Sequence, residues 1–228
     1  MAGRLKIAII GDFNFTYNSH HATNLAIEHS KNLLEIEVNT YWLRINEAAS
    51  IKTGNYSKYD GLLVAPGPYE NIFFLSNIID SCIKSGLPTL LTGDAFKVFV
   101  ELLIAHNNLS INNEKLISEN LSSTDNFERI EVHPVSKNLR KLYNELPRLE
   151  LSSSRYSLYP QLLQYLEREV IDVEAINQFD DPEIISLKNY NFCVATMSLP
   201  QICSTREMPH PLISAFLNVV SAFSEKTA

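Results

Sequence analysis

Apolar residues in the first half of the chain form short continuous runs and longer amphipathic stretches in turn. The runs are typical of strands covered on both faces, and they occupy Leu5–Ile10, Gly61–Ala65 and Leu87–Leu91. The amphipathic stretches have helical spacing, and they occupy Ser19–Leu34, Ile72–Ser85 and Phe96–His106. Alternating acidic and apolar residues predict one further strand over Glu35–Trp42. This order predicts a parallel sheet with its ligand sites beyond the carboxyl ends of the strands.

The second half of the chain has a different pattern. Residues Asn107–Phe127 are rich in Asn, Ser and Glu, which predicts a surface excursion with one short helix near Glu114–Ser118. Short strands are predicted over Arg129–Val132, Arg148–Leu151, Val170–Ile176, Glu183–Leu187 and Phe192–Thr196. The turn residues Asp180, Asp181 and Pro182 predict a hairpin, and an apolar stripe over Pro211–Phe223 predicts a packed terminal helix.

Composition narrows the class of protein. The 228 residues, 45% of them hydrophobic and 20% charged, predict a single globular domain over residues 1–228. The net charge of −7 argues against a nucleic-acid surface, and no apolar run has the roughly 20 residues that span a membrane. Three cysteines without a Cys/His cluster predict no disulfide, no metal site and a reducing, cytoplasmic location. No Gly-rich phosphate loop is present, so no cofactor is expected.

Several segments together resemble the glutaminase domain of CTP synthase, a class I glutamine amidotransferase, and more closely its stand-alone relatives. The resemblance covers nearly the whole chain. It lies in residues 10–13 with His20, 59–69, 86–93, 154–156, 192–196, 200–201 and 209–216. It implies a three-layer α/β fold of the flavodoxin-like amidotransferase type, with a mostly parallel central sheet flanked by helices. Extra antiparallel strands are expected in the C-terminal half.

The resemblance also implies where a catalytic triad would lie. In the family, a cysteine at the elbow after a strand attacks glutamine, and a His-Pro-Glu motif supplies the base and the carboxylate that orients it. The matching positions here are Gly93, Leu199 and Gln201. None of these side chains can perform its family role, because glycine has no nucleophile, leucine moves no proton and glutamine carries no charge. We therefore expect no family-type glutamine hydrolysis.

Other positions are candidates for a retained binding site. Gly67 matches the glycine of the oxyanion loop, Tyr69 follows it, and Arg155 matches an arginine that holds the glutamine carboxylate in the family. Asp94 follows Gly93 and is either a helix cap or a ligand-binding carboxylate. Asp12 and His20 follow the first strand, where they either line a pocket or are structural.

These features leave three functional hypotheses. The first is a catalytically degenerate protein that binds a small carboxylate-bearing metabolite or a protein partner. The second is an enzyme of different chemistry, an amidohydrolase or lyase, that uses Asp12, His20 or Asp94 with a water nucleophile. The third is a supporting component of nucleotide synthesis of the CTP synthase type. The Phe73–Phe74 helix also offers a surface for a homodimer, although core packing is the simpler use of these residues.

Overall fold

The structure is a computed structural model that describes residues 4–51, 53–109, 114–123 and 126–227. A nine-stranded mixed sheet crosses the molecule in the order β2-β1-β3-β4-β9-β8-β7-β5-β6. Its strands are β1 Leu5–Ile10, β2 Val38–Leu43, β3 Gly61–Val64, β4 Thr89–Thr92, β5 Glu128–Pro134, β6 Arg148–Ser152, β7 Ile171–Asn177, β8 Pro182–Leu187 and β9 Cys193–Thr196. The helices are α1 Asn18–Leu34, α2 Ile45–Ser50, α3 Ile72–Ser85, α4 Ala95–His106, α5 Lys137–Leu142, α6 Pro160–Glu169 and α7 Pro211–Thr227, and a 3-10 helix covers Thr53–Lys58.

The first five strands of this order, β2 to β9, are parallel, and the last four are antiparallel. The residues of β3, β4 and β9 are buried throughout, which fits their short, mostly apolar sequences. The hairpin predicted at Asp180–Pro182 is confirmed, because β7 and β8 pair antiparallel on either side of this turn. The predicted fold, parallel at first with antiparallel strands added later, is therefore confirmed.

Helices cover both faces of the sheet and form two separate cores. One core lies between the sheet and α2, α3, α4 and α6, and it includes Phe96 and Phe99 of α4. The other lies between the sheet and α1, α5 and α7, and it includes Phe216 and Leu217 of α7. The sheet and these two layers of helices make the predicted three-layer arrangement.

Some predicted elements differ from the structure. The helix predicted near Glu114–Ser118 is wrong, because Ile117 forms an isolated antiparallel bridge with Leu158. Ile117 is 7% exposed, so this part of the predicted surface excursion is packed; residues 110–113 and 124–125 of that excursion lie outside the described chain. Strand β2 begins three residues later than predicted, because Glu35 has a left-handed φ of 54° at the end of α1.

Three α-helices of the described chain, and the 3-10 helix, were not predicted. The three α-helices are α2, α5 and α6, of which two have only six residues. None of the described helices combines the length and apolar character that crossing a bilayer requires.

Candidate active site

The loops that follow four parallel strands meet at one edge of the sheet, as the alternation of strands and helices predicts. They begin at Gly11 after β1, Ala65 after β3, Gly93 after β4 and Met197 after β9. We call this side of the sheet the carboxyl edge. Every candidate position except Arg155 belongs to one of these loops or to the first turn of the helix that follows it.

Gly93 forms a tight turn between β4 and α4. Its φ is +63°, in the left-handed region that favours glycine, and its amide donates to the carbonyl oxygen of Thr196 at 2.9 Å. A Cβ placed on Gly93 would lie 2.9 Å from Cβ of Pro66 and 3.0 Å from Cδ2 of Leu199. The turn therefore has an elbow's backbone conformation, but the space for a side chain is already filled.

The other two triad-matching positions lie against the same turn. Leu199 is buried and points at Gly93, as the Cδ2 distance shows. Gln201 is buried too, and its Nε2 donates to Oγ1 of Thr92, the residue before Gly93, at 3.3 Å. The fold thus brings the three positions together, as the resemblance implies, with a hydrocarbon side chain and an amide beside the glycine.

Asp94 turns its carboxylate toward the loop after β3. Its Oδ1 accepts a hydrogen bond from Oγ of Ser154 at 2.5 Å, and its Oδ2 would be 2.8 Å from a Cβ on Gly67. Although Asp94 precedes α4, its side chain makes no capping hydrogen bond, so the capping interpretation is wrong. A side chain at position 67 would therefore have to displace this carboxylate.

Two tyrosines lie near the Asp94 carboxylate. Tyr69 donates its hydroxyl proton to the carbonyl oxygen of Ala65 at 2.6 Å, and burial followed by the Asp94 charge raises the Tyr69 pKa well above its usual value. Burial and the same charge also raise the pKa of Tyr156. Both hydroxyls therefore stay protonated at neutral pH, and the Asp94 carboxylate beside Gly67 lies close to two neutral tyrosines.

His20 connects two of the loops. Its Nδ1 accepts from the backbone N–H of Asn14 at 3.0 Å, so the proton lies on Nε2, which donates to the carbonyl oxygen of Pro66 at 3.1 Å. The ring is buried, and desolvation lowers its pKa despite the opposing effect of the Pro66 hydrogen bond. A neutral imidazole with both nitrogens engaged is a structural link, as one of the two interpretations of His20 predicts.

Asp12 is engaged by backbone groups. Its Oδ1 accepts from the N–H of Ile45 at 3.0 Å, and its Oδ2 lies 3.5 Å from the N–H of Glu70. Among the hydrogen bonds of the described residues, none joins Asp12, His20 and Asp94 to one another. The three side chains therefore do not form a hydrogen-bonded acid–base group.

Arg155 is directed to a different surface from its neighbour Ser154. Its guanidinium stacks 4.2 Å from the ring centre of Phe179, lies 3.7 Å from Oε2 of Glu128 and donates to the carbonyl oxygen of Leu121 at 3.3 Å. These contacts hold the arginine on the β5 side of the molecule. Among the described residues, the guanidinium contacts are with Phe179, Glu128 and Leu121, and none of them is with Gly67 or Gly93.

The three cysteines are free thiols. Burial raises the pKa of Cys193 to about 12 and that of Cys82 further. Burial, with the nearby Glu150 carboxylate, raises the pKa of Cys203 to about 12. A thiol with such a pKa contains almost no thiolate at neutral pH, so none of the three is an activated nucleophile. No group of three His, Cys, Asp or Glu side chains that could hold a metal ion occurs in the described part of the chain.

The fold is similar to that of a solved glutaminase domain. The glutaminase domain of CTP synthase from Trypanosoma brucei, solved with acivicin bound, superimposes with a TM-score of 0.77 at 16% identity. The similarity covers 96% of this chain and 94% of that one. The fold is that of a class I glutamine amidotransferase. This confirms the fold that the resemblance predicts, over nearly the full length.

Two further structures have the same architecture. A protein assigned to GMP synthase, from Thermoplasma acidophilum, has a TM-score of 0.58 at 13% identity, covering 99% of this chain and 96% of that one. A ThuA-like protein from Bacteroides uniformis has a TM-score of 0.59 at 12% identity, covering 96% and 92%. No family model and no curated protein matches the sequence. At these identities, the similarity describes the fold.

Sequence reasoning missed the residues that shape the site from a distance. Ser154 holds Asp94 from 60 positions away, and Pro66 fills the elbow beside Leu199. Ser154 lies within a motif of the resemblance, but the arginine beside it carries the family role. The sequence signal for Pro66 was the pair of prolines on either side of Gly67, which indicates a stiff turn.

Proposed function

We propose that this chain uses an amidotransferase fold to bind a partner protein at the carboxyl edge, and that it does not hydrolyse glutamine through a Cys-His-Glu triad. The observation that carries the second part of this proposal, the absence of triad hydrolysis, is the filled elbow. Pro66 and Leu199 occupy the space that a nucleophile at position 93 would need. Thiol-dependent hydrolysis needs a thiolate at this position, and the elbow has neither a thiol nor free space for its side chain.

The charge beside Gly67 favours a protein over a small carboxylate as the ligand. Asp94 places a negative charge at the loop where the family binds the substrate carbonyl, and like charges repel in a half-buried site. Arg155, which would neutralise a ligand carboxylate, is engaged by Phe179 and Glu128. A carboxylate-bearing metabolite therefore has less support than a partner protein.

Exposed apolar side chains at the carboxyl edge support a docking role. Phe15 is 78% exposed on the loop after β1, and Phe73 and Ile72 are 71% and 56% exposed at the start of α3. His20 ties these two loops together through its hydrogen bond to Pro66. We call Phe15, Ile72 and Phe73 the apolar rim. Large exposed aromatic residues are enriched where proteins bind one another.

The two other hypotheses have weaker support. An enzyme with a water nucleophile needs an assembled acid–base group, whereas His20 and Asp12 are both committed to backbone groups. Asp94 remains as a candidate base, but its hydrogen bond in the described chain is with Ser154 and not with either of these residues. A supporting role in nucleotide synthesis rests on the similarity to a CTP synthase domain, and it would make a synthetase the docked partner. The free cysteines support a reducing compartment such as the cytoplasm.

Site-specific crosslinking in the full chain tests the docking proposal. We expect a photo-reactive phenylalanine analogue at Phe15 or Phe73, in the native host cell, to give a discrete crosslinked product. The same analogue at Leu33, which is 59% exposed near the end of α1, is the matched control and should give none. A product at twice the chain mass would identify a second copy as the partner.

The outcomes separate the hypotheses. Equal crosslinking from Leu33 and from the rim, or none from either rim position, would contradict docking at this edge. A thermal shift with glutamine or glutamate that Arg155→Ala abolishes would instead establish a carboxylate site and overturn the preference for a protein partner.

A further inference from the structure

A groove of about 480 Å³ lies at the edge of the sheet opposite the carboxyl edge. It opens where β7 and β9 begin and β8 ends, between the short helix α5 and the long helix α7. Its volume lies within the roughly 300–1,000 Å³ of small-molecule sites. The groove is thus separate from the elbow, and neither the triad-matching positions nor the apolar rim contribute to it.

The walls of the groove are largely apolar. Apolar side chains from α5, β8, β9 and α7 line the groove: Leu139, Leu142, Ile184, Val194, Leu212 and Val219. Two short side chains, Ser186 on β8 and Ala215 on α7, leave the space between the helices open. An apolar molecule could therefore lie along the sheet between α5 and α7.

Glu174 is a charged residue of the groove that has no cationic partner among the described residues. Its Oε1 accepts from Oγ of Ser186 at 2.6 Å, and its Oε2 accepts from Oγ of Ser136. A carboxylate oxygen has two acceptor sites, so each oxygen can accept another hydrogen bond while the two hydroxyls fix its position. Among the ion pairs of the described residues, none includes Glu174.

The other two charged residues of the groove neutralise each other. Nζ of Lys188 lies 3.8 Å from Oδ1 of Asp172, and it donates to the carbonyl oxygens of Glu167 and Arg168 at the end of α6. The groove therefore has a net negative charge that belongs to Glu174.

We infer that this groove is a binding site for an amphipathic organic cation, with its ammonium on Glu174 and its apolar body between α5 and α7. The ammonium can donate to both carboxylate oxygens, and charge-assisted bonds of this kind are among the stronger ones in proteins. The apolar part gains from burial against Ile184 and Val194. This inference goes beyond the proposed docking function, because it concerns the other edge of the molecule.

Matched probes test the inference on the full chain. The probes are 4-phenylbutylamine, 4-phenylbutanol and 4-phenylbutanoate, which share one apolar body and differ in the charge of the head group. We expect the amine to bind at least about tenfold more tightly than the alcohol, and the carboxylate to bind more weakly than either. In a backbone NMR titration, the shifted amides should be those of β7, β8 and the start of α7.

Two variants test the site itself. Glu174→Gln keeps the shape and should reduce the preference for the amine over the alcohol to less than about threefold. Ala215→Phe should fill the groove and weaken the binding of all three probes. Glu131 is an exposed glutamate on β5, and the control variant Glu131→Gln should leave their binding unchanged. The inference is overturned if the amine shows no preference, if Glu174→Gln leaves the preference unchanged, or if no probe binds at millimolar concentration.

Discussion

Replacing Gly93 by alanine is expected to lower the free energy of unfolding by about 3 kcal/mol. The left-handed backbone at φ +63° costs an alanine about 1 kcal/mol, and a clash in a packed site costs a further 1–3 kcal/mol. The clash comes from Pro66, whose ring is rigid, and from the end of Leu199. Urea unfolding of both proteins, with the slope compared, measures the difference.

Gly86→Ala is the matched control for this experiment. Gly86 also has a left-handed φ, of 73°, but a Cβ there would meet nothing within 4 Å. We expect Gly86→Ala to lower the free energy of unfolding by only about 1 kcal/mol, so that the difference between the two variants isolates the clash at Gly93. In a Leu199→Ala background, Gly93→Ala should cost less than in the wild type, because one of the two contacts is gone. Equal costs at Gly86 and Gly93 would show that the elbow has room for a nucleophile.

Glu183→Gln is expected to remove a large part of the pH dependence of stability. Glu183 is buried, and this burial raises its pKa to about 8, although a hydrogen bond from Nδ2 of Asn177 at 3.2 Å opposes the shift. The nearby Glu150 charge raises the pKa further. Between the unfolded pKa near 4.5 and about 8, the folded chain therefore binds more protons than the unfolded chain.

The sign of the effect follows from this proton count. The stability that protonated Glu183 contributes is complete below the unfolded pKa of about 4.5 and is lost as pH rises to about 8, by roughly 3–6 kcal/mol in total. Glutamine stays neutral, so the variant should equal the wild type near pH 4 and exceed it by a margin that grows up to about pH 8. Chemical unfolding at several pH values measures this difference.

An exposed glutamate provides the control for the pH experiment. Glu131→Gln, with half of its side chain exposed, should leave the pH profile nearly unchanged. His20 has a lowered pKa and gives a slope of the opposite sign below pH 6.5, but this slope is common to wild type and variant and cancels in their difference. A constant difference between wild type and Glu183→Gln from pH 5 to 9 would show that Glu183 is ionised throughout.

The parallel half of the sheet could be predicted because its signal is local. The residues of β3, β4 and β9 are buried, as are all residues of β1 except Lys6, so these strands are short, mostly apolar segments that a short window detects. The helix prediction near Glu114–Ser118 was wrong for the opposite reason. Its structure depends on pairing with Leu158, about 40 residues away, and local polarity does not reveal such a contact.

Some features of the candidate site could likewise be predicted from the sequence, and others could not. Resemblance to known glutaminases placed Gly93, Leu199 and Gln201 at the elbow, and the structure brings these three positions together. The direction of the Asp94 carboxylate could not be predicted, because it depends on Ser154 in a distant loop. Nor could the sequence show that Arg155 turns to Phe179 and Glu128.

Ammonia release from glutamine by the purified full chain tests the central claim most directly. The filled elbow and the protonated cysteines predict no release above the uncatalysed rate, in wild type and in Gly93→Ala alike. Turnover that scales with protein concentration, and that disappears in Cys203→Ser or Asp94→Asn, would contradict this account and show that the fold hydrolyses glutamine with a different set of residues.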